Sequence, residues 1–156
     1  DASVLMTTLL IIQIVAMFGA VLFGRLGERL GAKRALIFAL ALWTAVVVYA
    51  ALVLKGPAEY MMLGVAVGLV MGGSQALSRS LYGSMIPARS SAEFYGFYSV
   101  FSKFSAIWGP LAFGIIRQVS GSSRNAIFSL VVFFIAGIVL LAFVNVEKAR
   151  EARNGD

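Results

Sequence analysis

Long apolar runs alternate with short polar segments along the whole chain. The first run, about residues 4–23, reads VLMTTLLIIQIVAMFGAVLF and is followed by the basic stretch GRLGERLGAKR. Further runs lie at about residues 35–54, 60–81, 94–116 and 126–144. A helix needs about 20 apolar residues to cross a hydrocarbon layer roughly 30 Å thick, and its backbone polar groups must be paired internally. The pattern therefore predicts five membrane-spanning helices joined by short connections.

The composition agrees with a membrane protein. Of the 156 residues, 60% are hydrophobic and 13% are charged, whereas soluble domains are about half apolar and a quarter charged. We expect an all-α integral membrane protein with a transmembrane bundle over residues 1–146 and a tail over residues 147–156. Cysteine and histidine are absent, and no Asp or Glu falls inside a predicted span. We therefore expect no metal site, no cofactor and no enzyme activity.

The basic residues predict how the chain is oriented. Only Lys55, Arg117 and Arg124 fall on the side of the predicted N-terminus, and Lys103 lies within the fourth span. The other side carries nine basic residues: Arg25, Arg29, Lys33, Arg34, Arg79, Arg89, Lys148, Arg150 and Arg153. The positive-inside rule places the richer side, with the tail, in the cytoplasm. The net charge of +6 is thereby explained by topology, so the expected partner is the lipid bilayer and not nucleic acid.

The basic segment at residues 24–34 is the most specific of the connections. Gly24 and Gly31 permit tight turns, and Glu28 can accept hydrogen bonds from a helix N-terminus or an arginine. Lys33 and Arg34 can anchor the next span. These properties also fit an ordinary basic loop. The order Gly24, Leu26, Glu28, Arg29, Gly31, Lys33, Arg34, however, resembles the signature loop of the major facilitator superfamily, whose acid and basic residues form a cytoplasmic gate; Glu28 stands where aspartate is commoner.

Three later stretches resemble one branch of that superfamily. GGSQALSRSLYGSMIP, EFYGFYSVFSKFSAIWGPLAFG and GSSRNAIFSL are similar to the branch named for vacuolar amino-acid efflux in fungi. The resemblance implies that the five spans are helices eight to twelve of a twelve-helix transporter. The chain would then lack the N-terminal half and the helix-seven equivalent, in keeping with Asp1 in place of an initiator Met.

The resemblance also implies a function. It describes the C-terminal portion of a secondary active transporter that moves small solutes, amino acids among them, by rocker-switch alternating access. The expected location is the bacterial inner membrane, with the vacuolar membrane as the alternative. A non-transporting membrane scaffold or receptor that keeps the fold is the alternative function.

One face of the third span changes from small to polar along its length. At 100° per residue its members fall within about 80° of one another: Gly64, Gly68, Gly72, Gln75 and Arg79. Glycines at this spacing let helices approach closely in lipid, so we expect a packing role for them. Arg79 can also reach the membrane interface as a snorkelling side chain. In the resembled family helix ten lines the transport path, which implies that Gln75, Ser74 and Ser78 face a cavity. We count Arg79 and, on the next span, Lys103 as further candidates to line it.

The fourth span carries a lysine within an aromatic helix. One face holds Phe94, Phe97, Phe101, Phe104 and Trp108, and Lys103 lies on the opposite face. Lys103 is about 13 Å along the predicted helix, near mid-depth, where an ammonium costs at least about 2.5 kcal/mol without a partner. An acid from the missing half, an anionic substrate, or carbonyls freed by Pro110 would each serve as that partner. Pro110 is also a candidate kink for conformational change.

Overall fold

The computed structural model describes residues 2–52 and 57–155, and these are helical almost throughout, without a strand. Its helices are α1 (Ala2–Leu30), α2 (Ala32–Leu52), α3 (Pro57–Met85), α4 (Ser91–Ser120), α5 (Ser123–Phe143) and α6 (Val146–Gly155), with a 3-10 turn at Ala88–Ser90 before α4. The first five are long and apolar enough to cross a membrane. The prediction of an all-α membrane bundle is confirmed.

Several helices extend beyond the predicted apolar runs. α1 continues through the basic segment to Leu30, so the chain does not turn at Gly24, where the sequence permits a turn. The chain turns only at Gly31, which has a φ of +87°, a conformation that side chains with a Cβ disfavour. At the other end of the bundle, Gly121 (φ +63°) ends α4 and donates its backbone N–H to the Arg117 carbonyl. Both connections are therefore shorter than the charge pattern predicts.

The tail is also folded. The residues predicted as a tail form α6, whose first turn is capped by the Asn145 side chain accepting from the Lys148 backbone N–H. Asp1, residues 53 and 54 of the second predicted span, Lys55 and Asp156 lie outside the described residues.

The spanning helices form an open arc in the spatial order α1, α3, α2, α5, α4. In α2, Ala35 and Ala39 are fully covered by the neighbouring helices. Phe23 of α1 and the α3 residues Leu77 and Leu81 complete a small apolar core at this end of the bundle. α4 contains no buried residue. Because α4 closes one side of the arc, its inner face is available to form a cavity with α3.

Hydrogen bonds hold the predicted cytoplasmic ends of the helices together. The Lys33 ammonium donates to the carbonyls of Ala142 (2.9 Å) and Val144 (2.7 Å) at the end of α5. Arg150 of α6 donates to the Ser84 hydroxyl (3.1 Å), and Arg153 donates to the Ser84 carbonyl (3.1 Å). The segments counted as the basic side in the sequence thus meet at one end of the molecule.

Candidate functional site

A groove of about 650 Å³ runs between α3 and α4, with α2 and α5 at its base. It contains four of the five residues that we predicted to line a cavity: Ser74, Gln75, Ser78 and Arg79. α4 contributes Tyr98, Ser102, Ser105 and Ala106, and the base is apolar. Periodicity places Gln75 and Arg79 on one face of α3, the resemblance adds Ser74 and Ser78, and the structure adds the facing side of α4.

Lys103 lines a second cavity of about 470 Å³ that continues the first. The two cavities share Arg79, Tyr98, Ser102 and Ala106, so the groove is continuous along the α4 surface. Arg79 and Lys103 thereby bring two positive charges to one cavity. No carboxylate lines either cavity within the described parts of the chain. Such a surface is suited to a solute with an anionic group.

Three polar side chains that line the groove are exposed and have no partner among the described residues. The side chains of Gln75, Arg79 and Lys103 make no hydrogen bond or ion pair with any residue in the described ranges. In particular, the Lys103 ammonium does not bond to a backbone carbonyl here. Pro110 lies inside α4 and has no N–H for the carbonyl four residues earlier, that of Ala106. Donors from both helices and a carbonyl without its usual helical donor are therefore present along one groove.

Ser74 differs from its neighbours because its hydroxyl is already engaged. It accepts a hydrogen bond from the Trp43 indole N–H (3.2 Å) and donates to the Met71 carbonyl (3.1 Å). Trp43 is in turn stacked on Phe134 of α5, with ring centroids 5.4 Å apart. Ser74 lines the groove but serves mainly to join α3 to α2. No sequence pattern predicts this contact, because the indole and the hydroxyl belong to residues 31 positions apart.

Three tyrosines hold α3 against α4 near the turn that connects these two helices. The Ser78 and Tyr98 hydroxyls share a hydrogen bond of 2.9 Å, and the Tyr82 hydroxyl donates to the Phe94 carbonyl at 2.9 Å. The Tyr82 ring lies 4.8 Å from that of Tyr98 and 5.8 Å from that of Tyr95. Tyr82, Tyr95 and Tyr98 thus form an aromatic cluster between the two helices. Sequence reasoning missed it, although tyrosines at spacings of three in α4 share a helix face.

The two faces of α4 have separate surroundings. Ser99, Ser102, Lys103 and Ala106 line the second cavity. The aromatic residues of the opposite face are 41 to 64% exposed. α4 has 30 residues and Lys103 lies twelve residues after its first, about 18 Å along a helix of about 45 Å. The lysine is therefore far from both ends of its helix and faces the groove.

The glycines of α3 lie against α1. A Cβ at Gly72 would overlap the Ala16 carbonyl, and one at Gly68 would come within 2.9 Å of the Ile12 carbonyl oxygen. A Cβ at Gly64 would lie 3.6 Å from the Thr8 methyl group, which is an ordinary van der Waals contact. Farther along α3 the contact with α1 moves around the helix to Gly73. This crossing leaves the part of the face that carries Gln75 and Arg79 open to the groove.

The residues of the signature loop are distributed over different surroundings. Glu28 is exposed in the last turn of α1 and has no ion-pair partner within residues 2–52 and 57–155. Arg29 borders an apolar cleft between α1 and α2. Lys33 bonds to the end of α5, and it lines a pocket together with Gly31 and Arg34. Gly24 lies in α1 with open space around it. The described chain therefore does not bring Glu28 and its neighbouring cations together as a closed cluster.

Comparisons with known proteins agree with this architecture. The family described as "Vacuole effluxer Atg22 like" matches residues 1–154. The chain is 37% identical over 150 residues to the "Uncharacterized MFS-type transporter YxiO" of Bacillus subtilis, covering 96% of the chain and 35% of that protein. It is 32% identical over 160 residues to "Autophagy-related protein 22" of Kluyveromyces lactis, covering 96% of the chain and 32% of that protein.

The match to "Autophagy-related protein 22-1" of Aspergillus clavatus is shorter, with 37% identity over 98 residues, 63% of the chain and 16% of that protein. No solved structure matches the chain. The chain spans about a third of the length of the curated relatives that it matches most fully. Its membrane-spanning helices and the family match over nearly every residue lead to one conclusion: the chain belongs to the vacuole effluxer Atg22-like family.

Proposed function

We propose that the chain is the C-terminal portion of a secondary active transporter and that the α3–α4 groove forms part of its translocation path. The observation that carries this proposal is the continuous groove that holds Gln75, Arg79 and Lys103, with no protein partner for any of them among the described residues. A relative is named an MFS-type transporter and the family is named for an effluxer. Intramembrane polar side chains mark substrate pathways in such proteins.

The charges of the groove indicate the kind of solute. A lysine far from both ends of a spanning helix needs a partner or water, because an unpaired ammonium is costly at that depth. The groove offers two cations, an amide and several hydroxyls, with no carboxylate from the described residues. A small solute with a carboxylate would pair with these cations. Amino acids are our candidate class, since their carboxylate suits Arg79 and Lys103 and their other groups suit Gln75 and Ser78.

The rest of the protein has defined tasks in this proposal. The N-terminal half and the helix-seven equivalent cover the open side of the groove and complete a midplane site between two bundles. Coupling of solute transport to a proton or sodium gradient needs an acidic side chain within the membrane. The N-terminal half or the helix-seven equivalent would supply it. Rocking of the two bundles then exposes the groove to either side, with Glu28 and Arg29 as part of the gate and Pro110 as a point of bending. We place the transporter in the inner membrane of a bacterium. Its relatives come from both bacteria and fungi.

The test uses the full-length protein in proteoliposomes and a mixture of radiolabelled amino acids. Lys103→Met keeps the length of the side chain and removes its charge, so flux should fall several-fold at unchanged expression. Lys148→Met is the matched control, because Lys148 lies on α6, away from the groove, and flux should stay unchanged. Equal flux for Lys103→Met and the unaltered protein would contradict the proposal. No flux of any solute by the unaltered protein would instead favour a membrane scaffold or receptor.

A further inference from the structure

A second, chemically different cleft lies on the outside of the bundle. It has a volume of about 520 Å³ and is formed by α1 and α2 with α3 as its floor. It shares no lining residue with the groove between α3 and α4. Its floor includes Phe23 and Val70, each 5% exposed, and its rim includes Leu22 and Phe38, which are 57% and 50% exposed. The cleft is thus a true recess with an open apolar mouth.

Two arginines are the only charged residues that the described part of the chain contributes to this lining. Arg25 and Arg29 are one helical turn apart, so both project from the same side of α1 at the end where it leaves the apolar layer. Neither makes an ion pair or hydrogen bond within the described ranges, although Glu28 lies between them in sequence. The other described residues that border the cleft are all apolar. Two free cations at one end of an apolar recess complement a molecule with an anionic head and a hydrocarbon body.

The length of the cleft matches one leaflet of a bilayer. Its α2 lining runs from Phe38 to Val46, eight residues or about 12 Å. Half of a hydrocarbon layer of roughly 30 Å is about 15 Å. Arg25 and Arg29 then lie at the level of the lipid headgroups, on the side that carries most of the basic residues. Basic recesses between transmembrane helices at this level bind anionic headgroups.

We propose that this cleft binds an anionic phospholipid. One acyl chain occupies the apolar recess over Phe23 and Val70, and the phosphate pairs with Arg25 and Arg29. A free phosphate would use the arginines but leave the recess empty, and a neutral lipid would fill the recess but leave the arginines unpaired. Among the described residues the site shares none with the groove, and it overlaps the proposed transport machinery only at Arg29 of the gate.

The experiment measures lipid retention by the full-length protein. The protein is purified in detergent, mixed with equal amounts of dioleoyl phosphatidylglycerol and dioleoyl phosphatidylcholine, and analysed by native mass spectrometry. The unaltered protein should retain phosphatidylglycerol in preference. The double variant Arg25→Gln, Arg29→Gln should lower that preference roughly fivefold for each arginine removed. The matched control is Arg117→Gln, Arg124→Gln at the opposite end of the bundle, and it should retain the preference.

Two further arms separate a lipid from its headgroup alone. Ala66→Phe adds a ring to the apolar lining without changing the charge, so it should also lower retention of phosphatidylglycerol. Glycerol 3-phosphate, which has the headgroup chemistry without acyl chains, should not displace the bound lipid at equal concentration. Equal retention of the two lipids by the unaltered protein would overturn the proposal, as would an unchanged preference in the Arg25, Arg29 double variant. Displacement by glycerol 3-phosphate would do so as well, in favour of a simple phosphate site.

Discussion

The contact between α1 and α3 allows a sharp prediction at Gly72. A Cβ placed there would lie 2.6 Å from the Ala16 carbonyl carbon and 2.8 Å from its Cα, and it would overlap the carbonyl oxygen. These atoms belong to the backbone, so they cannot rotate away as a side chain would. Gly72→Ala therefore requires α1 to move off α3. Overpacking of this kind costs about 1–3 kcal/mol.

The matched control is Gly24→Ala. Gly24 is also inside a long helix, but a Cβ there would meet nothing within 4 Å. Alanine is favoured over glycine in a helix interior by about 0.5–1 kcal/mol. The two variants carry the same chemical change in the same kind of helix, so the structure predicts opposite effects on stability. Together they should be separated by about 1.5–4 kcal/mol.

The assay is thermal unfolding of the full-length protein in detergent. Unfolding is measured as the loss of the fraction that remains monodisperse after heating. Gly72→Ala should unfold at a lower temperature than the unaltered protein, and Gly24→Ala at an equal or higher temperature. Gly68→Ala should fall between them, because its nearest contact is looser at 2.9 Å. Equal melting temperatures for Gly72→Ala and Gly24→Ala would refute the close packing of α1 on α3.

Two further predictions concern the predicted cytoplasmic end. Lys33→Met removes both hydrogen bonds to the end of α5. The backbone amides of residues 144–146 should then exchange hydrogen roughly fivefold faster, the equivalent of about 1 kcal/mol of net hydrogen bonding. Lys148→Met should leave this exchange unchanged, and equal exchange rates in both variants would contradict the anchoring role of Lys33. Glu28→Ala should shift the balance between the inward-facing and outward-facing states of the full-length protein. The shift would appear as altered distances between a spin label at position 89 and one on the N-terminal half. Glu147→Ala on α6 is the control. Unaltered distances in the Glu28 variant would leave the segment as an anchor without a gating role.

The spanning helices could be predicted because lipid leaves the backbone no alternative to a helix. The division of α4 into an aromatic face and a face with Lys103 also followed from helical periodicity alone. The helix ends were harder to predict. Gly24 and Gly31 look alike in the sequence, but only Gly31 adopts a positive φ, and an isolated glycine inside a helix costs only about 1 kcal/mol. Charge marks where a helix leaves lipid, and α1 continues beyond that point.

The partners of individual side chains could not be predicted, because they depend on how helices distant in sequence are placed side by side. Lys33 bonds to a carbonyl 109 residues later, and Trp43 bonds to a serine 31 residues later. The hydrogen bond between Ser78 and Tyr98 likewise depends on the relative height of α3 and α4. Periodicity specifies the face on which a residue lies, and only packing specifies what it meets there.

In the proposed transporter the small, polar face of α4 borders an aqueous path. The chain contains no cysteine, so single cysteines can be introduced into the full-length protein once any cysteines elsewhere have been replaced. Ser102 lines both cavities, and its neighbour Phe101 lies on the aromatic face and is 60% exposed. Both positions are at almost the same depth in the membrane. They therefore differ in the surface that they face.

The decisive measurement is the rate at which a membrane-impermeant, negatively charged methanethiosulfonate reagent modifies each variant. The thiolate is the reactive form and needs water. Ser102→Cys should react quickly and a transported solute should slow the reaction, while Phe101→Cys should react slowly with or without solute. An unreactive Ser102→Cys beside a reactive Phe101→Cys would refute a path along the polar face, because the aqueous path would then lie on the aromatic face.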